Sequence, residues 1–321
     1  MSFDNIVGTT LERYFSSGKA TDNIFQRTAV LDFVKRRAKI DVQGGRNAVH
    51  PVMGARNSTF QNYSGYDTLT PAVDEIIDTA VYQWKQSAIY VPISGLEEAK
   101  NSGDKAVINL LKAKTSNAEM TAAEAFEEML FLADGTGAQN GATTYTADGK
   151  EWAGLALFTD NTATNVGGIN GTSETWWQAS ETGSAGAMTL KKLANKYNSV
   201  SYGTDKCDFE VTTQAHYENY ESLLQEQQRF TDAGTAKAGF DNLMHKAGVV
   251  VWSDFCPSGE WYFLNSRHLK LSVLGSKWMK FNGFIQPYDK DAKYGLILNY
   301  GTFATDGRRY LGVLRGLTDP A

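Results

Sequence analysis

Residues 42–66 read VQGGRNAVHPVMGARNSTFQNYSGY (Val42–Tyr66), and how this stretch is held decides how the rest of the chain is read. Its apolar residues are few and follow neither a helical nor a strand period, it is dense in Gly, Asn, Ser and Gln, and it lies far from either terminus of a 321-residue chain. An irregular insertion longer than about 12–15 residues is uncommon in a compact domain unless it is functional or is ordered from outside. Downstream, Ala80, Tyr82 and Trp84, then Ile89, Val91 and Ile93, alternate at the period of two expected of strands. The outline from Asp41 to Val91 is therefore strand, long irregular tip, strand. Legs of about 15–20 residues at roughly 3.3 Å each reach ~50–65 Å. A compact chain of this length has a radius of gyration of only about 20 Å, so the hairpin is expected to project beyond its own body.

Working outward, Thr21 or Asp22 is placed to cap a helix with Ile24, Thr28, Leu31 and Val34 on its apolar face. The cations Lys35, Arg36, Arg37 and Lys39 that follow suit the negative end of that helix better than a DNA contact. On the other side of the hairpin, Val107, Leu111, Ala118, Ala122, Ala125, Met129 and Leu132 form one helical stripe, which predicts a helix over 104–132 stopped by Gly135. Ser116 and Glu119 form a capping-box pattern, so a break near Ser116 is the competing reading. The alanines in its middle would let the helix approach a sheet closely. Residues 134–187 are rich in loop formers. Then come a helix from Thr189 to about Tyr202, a strand over Asp208–Thr212, a helix from about Gln214 to Phe230, and strand-like runs in GVVVWSDF, EWYFLN and LKLSVL. The close, KYGLILNYGTFATDGRRYLGVLRGLT, reads as two strands joined around Asp306 and Gly307.

Composition narrows the function. Hydrophobic content of 42 %, charged content of 21 % and only 6 prolines describe a chain that folds. A net charge of -5 gives no footprint for tight nucleic-acid binding, which needs clustered excess Lys and Arg. No apolar run has the length of a membrane-spanning helix, and the first residues lack the pattern of a signal peptide. The two cysteines, Cys207 and Cys256, stand apart from each other and from any His at metal-ligand spacing. The four histidines do not pair with one another, and no nucleophile elbow, P-loop or HExxH occurs. No catalytic, cofactor-binding or metal-binding residue is therefore expected. Trp176 and Trp177 have the rings to stack a sugar or a base, but adjacent tryptophans in a Gly-rich segment more often pin a loop to a core or to a neighbouring subunit.

The order of these features resembles that of the major capsid proteins of tailed bacteriophages, the Hong Kong 97-type shell subunit. The segments that carry the resemblance are RTAVLDFVKRRAKIDVQGG leading into an extended loop, SGYDTL within it, and QWKQSAIYVPISGLEEAKNSGDKAVINLL entering a long spine helix. EEMLFLADGTG, GLALF with VGGIN and the tryptophan pair, EWYFLNSRHLKL and RRYLGVLRGL follow. The resemblance implies an α+β fold with an N-terminal arm over 1–40, an extended β-hairpin loop over 41–91, and a peripheral domain over 92–185 with the spine helix at about 104–132. An axial domain over 186–286 and returning peripheral strands over 287–321 complete it. Arg46, Arg56, Phe60, Tyr63, Tyr66, Trp176 and Trp177 become the expected inter-subunit contacts, which would explain how the polar tip is ordered.

The function so implied is structural rather than enzymatic: pentamers and hexamers close into an icosahedral virion shell around double-stranded DNA, assembled in a host cytoplasm. The implied partners are further copies of the chain, a portal, genomic DNA held without sequence-specific binding, and room for an outer decoration protein; no membrane is involved. The arm-like pattern begins within the first dozen residues, so a separate scaffolding protein is expected rather than a fused one. Between Asp41 and Trp84 there is no lysine, and Arg46 and Arg56 are poor nucleophiles, so no covalent link from the loop to a neighbour is expected. The alternatives are an encapsulin-like bacterial nanocompartment shell around protein cargo and, more distantly, a soluble carbohydrate-binding protein or hydrolase using the Trp176 loop.

Overall fold

The computed structural model describes residues 28–37, 40–69, 75–100, 104–132, 150–161, 165–228, 243–275 and 277–319. In chain order the elements are α1 (Ala29–Arg37), β1 (Ile40–Gln43), β2 (Asn47–Met53), β3 (Ile77–Gln83), β4 (Lys85–Ser94), α2 (Gly95–Lys100) and α3 (Asp104–Leu132). Next come α4 (Leu155–Phe158), β5 (Asn165–Val166), β6 (Ile169–Asn170), a 3-10 turn at Thr175–Trp177, β7 (Ser180–Thr182), β8 (Gly186–Ala187), α5 (Leu190–Val200), β9 (Phe209–Thr212) and α6 (Gln214–Gln228). The chain finishes with β10 (Leu243–His245), β11 (Gly248–Trp252), β12 (Trp261–Leu264), β13 (Leu269–Leu274), β14 (Lys280–Ile285), β15 (Ala292–Thr305), a 3-10 turn at Arg308–Tyr310, β16 (Gly312–Leu314) and β17 (Leu317–Thr318).

Two sheets organise these elements. The first is built on β15, a strand of 14 residues, which pairs antiparallel with β4 along one side and with β14 and β13 along the other; β1 adds to β13 in parallel. The second runs β10-β11-β9-β12-β16-β7. All four residues of β12 are buried because both faces of this sheet are covered. Trp261 and Phe263 meet Leu193, Tyr197 and Val200 of α5 and Tyr220 of α6, whereas Tyr262 and Leu264 join the larger core. That larger core continues beneath the first sheet, where Trp152 packs edge-on against Phe126 of α3 and Phe303 of β15, with ring centroids 4.8 and 5.5 Å apart.

Helices α1 and α3 join the two sheets. Phe33 of α1 stacks on Phe209 of β9 at 3.8 Å, while Val30, Leu31 and Val34 are buried in the larger core. Phe131, near the end of α3, meets Tyr262 of β12. The start of α1 is held by a side chain 96 residues further on. Glu127 of α3 accepts hydrogen bonds from the backbone N–H of Val30 (3.0 Å) and Leu31 (2.7 Å) and from the Ser253 hydroxyl (3.0 Å). A carboxylate at a helix start satisfies orphan donors and complements the dipole. Its complete burial works the other way and pushes the acid up to about 7.

Some expectations hold and others change. The spine helix is continuous through Ser116, as one 29-residue helix, and Gly135 lies outside the described residues. Ala118 packs against Val91 of β4 and Ile297 of β15, as close approach requires, whereas a cavity of about 420 Å³ remains between Ala122 and Ala125 of α3 and Ser87 and Ala88 of β4. The first helix is described from Ala29, so capping by Thr21 or Asp22 lies outside the described residues. The close is not a hairpin, because β15 belongs to the first sheet and β16 to the second, and the chain crosses between them at Asp306–Leu311. Sheet membership also cuts across the segment bounds read from the sequence. Leu269–Leu274 and Lys280–Ile285 lie in the first sheet with β4 and β15, and Gly312–Leu314 lies in the second.

Candidate functional site

The expected legs of 15–20 residues do not form. Ile40–Gln43 pairs with β13 and Lys85–Ser94 with β15, so the free-standing ribbon is only β2 with β3, seven residues a side. Nor does this ribbon project as a whole. Alternation along β2 and β3 buries Ala48, His50 and Val52 with Ala80 and Tyr82 against the chain's own body. Tyr82 donates its hydroxyl hydrogen bond to the carbonyl of Thr305 (2.8 Å), the N–H of Val81 donates to Gly167 (2.7 Å), and His50 Nε2 lies 3.0 Å from Ser272 Oγ. Burial lowers the imidazole's affinity for a proton at His50, and the nearby Lys270 adds to this against Asp41 and Asp306.

The ribbon ends where Gly54 passes beneath Trp176: a Cβ on Gly54 would stand 2.4 Å from that indole ring, so only glycine lets the backbone through. Trp176 Nε1 is held by Glu174 (2.5 Å), and its ring meets Trp177 edge-on. Trp177 is 1 % exposed and donates to the carbonyl of Val166 (2.9 Å). Of the two pinning roles left open for the tryptophan pair, Trp177 takes the one toward its own core within the single chain. Trp84 closes the other end of the ribbon by donating to Gly45 (3.0 Å).

Beyond Gly54 the character reverses. Phe60, Tyr63 and Tyr66 are 86, 67 and 105 % exposed and Arg56 also faces solvent; Arg46 is exposed too, but at the ribbon's opposite end beside Gly45. Short local hydrogen bonds shape this tip: Asn57 Oδ1 accepts from the N–H of Thr59 (2.8 Å), and Asp67 accepts from the N–H of Ser64 (2.7 Å). The tip is thus turned but not packed. The outer face of the ribbon adds to it, since the cross-strand pairs Val49–Val81 and Met53–Ile77 are exposed and apolar. A ribbon apolar on both faces, one satisfied by its own body and one by nothing among the described residues, has the chemistry of an interface. The sequence pattern marked the tip, but it did not mark the outer stripe, whose residues alternate with buried ones as any strand's do. Glu127 was likewise missed; nothing local distinguishes it from the other acids of its helix.

Among the described residues no group of three metal-ligating side chains gathers, and no helix is long and apolar enough to cross a membrane. Both thiols are free and buried, and burial pushes their proton affinity well up.

No protein-family model and no curated protein sequence matches this chain. Solved structures do. The subunit in the cyanophage A-1(L) capsid asymmetric unit superposes with a TM-score of 0.70 at 15 % identity, covering 98 % of this chain and 99 % of that one. The capsid of the native GTA particle gives 0.60 at 10 % identity with 99 and 100 % covered. The SrpI encapsulin of Synechococcus elongatus PCC 7942 gives 0.58 at 12 % with 97 % of each covered. The chain has the α+β fold of phage capsid subunits over its full length, as the sequence order implied.

Proposed function

We propose that this chain is a major capsid protein: copies associate as pentamers and hexamers and close into an icosahedral shell around the double-stranded DNA of a tailed phage. The observation that carries the reading is likeness over whole chains, since 98 % of this chain and 99 % of the cyanophage capsid subunit superpose. The exposed tip gives it a physical basis, for three solvent-facing aromatics and an apolar stripe are costly on a lone subunit and stabilising once a neighbour covers them. In this reading the tip and Arg46 and Arg56 lie over the adjacent copy, and Trp176 marks where the hairpin leaves its own body. The first sheet with α3 is the peripheral domain, the second sheet with α5 and α6 is the axial domain, and their boundary follows sheet membership rather than single cuts at 186 and 287. A separate scaffolding protein, a portal and an outer decoration protein remain the expected partners, with assembly in the host cytoplasm.

Sedimentation velocity and negative-stain microscopy of the expressed protein test this. Shells or capsomers are expected, and monomers alone at high concentration would contradict it. The encapsulin likeness favours a second reading, a compartment around protein cargo. Nuclease-protected DNA inside particles selects the first, and a stoichiometric co-purifying enzyme selects the second.

A further inference from the structure

Away from the hairpin, where the chain crosses between its two sheets, four side chains, His268, Tyr310, Tyr202 and Arg309, stack into a ladder. His268 stacks flat on Tyr310, with ring centroids 4.0 Å apart and planes 7° off parallel, and Tyr310 meets Tyr202 edge-on at 5.7 Å. Gly307 makes the stack feasible, since a Cβ there would stand 2.7 Å from His268 and 2.8 Å from Tyr310. Two acids engage most of the neighbouring basic side chains. Asp306 takes His268 (2.8 Å) and Lys270 (2.5 Å), and Asp205 takes Arg267 (2.6 Å).

Arg309 is the exception. Its guanidinium carbon lies 3.7 Å from the centroid of Tyr202 and 5.9 Å from that of Tyr310; the side chain is exposed and has no hydrogen bond or ion pair among the described residues. Stacking on a tyrosine holds the planar fork in place, so less freedom remains to be lost when its N–H groups engage a partner. A stacked, solvent-facing arginine with unused donors beside half-exposed tyrosines has the composition of an interface hot spot. Because Asp205 and Asp306 occupy the other cations, the patch has capacity for one planar anion rather than for a run of phosphates. The chain itself carries surplus acid, 36 Asp and Glu against 31 Lys and Arg.

We infer that Arg309, presented on Tyr202 and Tyr310, is an inter-subunit contact that receives a carboxylate from a second copy of this chain. The contact rests on the shell reading above and adds to it a point of adhesion remote from the hairpin tip.

The test compares wild type with Arg309→Ala, Arg309→Lys and Tyr202→Ala in full-length protein, using thermal melts for folding and sedimentation for assembly. All variants should melt as wild type does. Arg309→Ala should raise the concentration needed for assembly by roughly tenfold or more, as truncation of an interface arginine does. Arg309→Lys should behave like Arg309→Ala, because lysine keeps the charge but loses the flat bidentate fork. Normal assembly by Arg309→Ala, or full rescue by lysine, overturns the inference while leaving the shell reading intact. Arg309-dependent binding of short DNA by the unassembled subunit, read by fluorescence anisotropy, also overturns it in favour of a phosphate contact. A wild-type protein that never assembles overturns both.

Discussion

The spine helix α3 and the hairpin tip at 54–69 are the two long segments that give this chain its character, and they stand in opposite relation to the body. Along α3, Ala118, Ala122, Phe126, Met129 and Leu130 are buried by the chain's own sheets, and Glu127 reaches out to fix α1. Along the tip, the large side chains face water and the hydrogen bonds are local. The described part of one segment is packed within a single copy; on the proposed shell reading, the other is completed by a partner. Truncation in the first should therefore act on folding, and truncation in the second on assembly.

The largest effect should come from Trp177→Ala, which empties a fully buried site where the tip's root meets the core. A loss of about 3–5 kcal/mol in subunit stability is expected in urea unfolding. A loss under about 1 kcal/mol would mean that Trp177 serves a neighbour after all.

Glu127→Ala should follow at roughly 3 kcal/mol, because two backbone donors and the Ser253 hydroxyl lose their acceptor. Its pH dependence sharpens the point. An unfolded chain gives up this proton near 4.5 and the folded chain near 7, so the folded state holds more protons in between. That contribution to stability is fully present below about 4.5 and is lost as pH rises through about 7. Glu127→Gln cannot titrate, so its deficit relative to wild type should shrink between pH 5 and pH 8. A deficit that grows over that range would show that the helix start holds the carboxylate charged.

Replacing Phe60, Tyr63 and Tyr66 together by serine should change subunit stability by no more than about 0.5 kcal/mol, as for exposed positions generally, while assembly fails. Loss of cooperative unfolding in that variant would mean that the tip packs on its own body. The smallest effect is expected from reductant. Boiled particles should run as a single band near 35.3 kDa with or without it, because both thiols are buried and the 41–84 segment has no lysine. Covalent ladders would refute this.

How legible each segment was follows from the same contrast. The α3 stripe sets its own period, so its bounds at 104 and 132 were readable from residue spacing. Strands were readable as strands in β9, β12 and β13, but their partners were not. The parallel pairing of β1 with β13 joins residues more than two hundred apart, and no local pattern encodes it. The hairpin was overdrawn because alternation in 85–94 looks the same whether the strand pairs with a returning leg or, as found, with β15. Asp306-Gly307 imitated a turn signal, yet this glycine is there to admit the His268–Tyr310 stack. At the tip, unassigned polarity with isolated aromatics was itself the signal, and the proposed shell reading supplies its missing partner from another copy.

Hydroxyl-radical footprinting read by mass spectrometry tests that claim most directly, comparing unassembled subunits with assembled particles. Phe60, Tyr63 and Tyr66 should be oxidised freely in the subunit and protected in the particle, with Trp177 protected in both. Equal oxidation of the three tip aromatics in the two states would contradict the account.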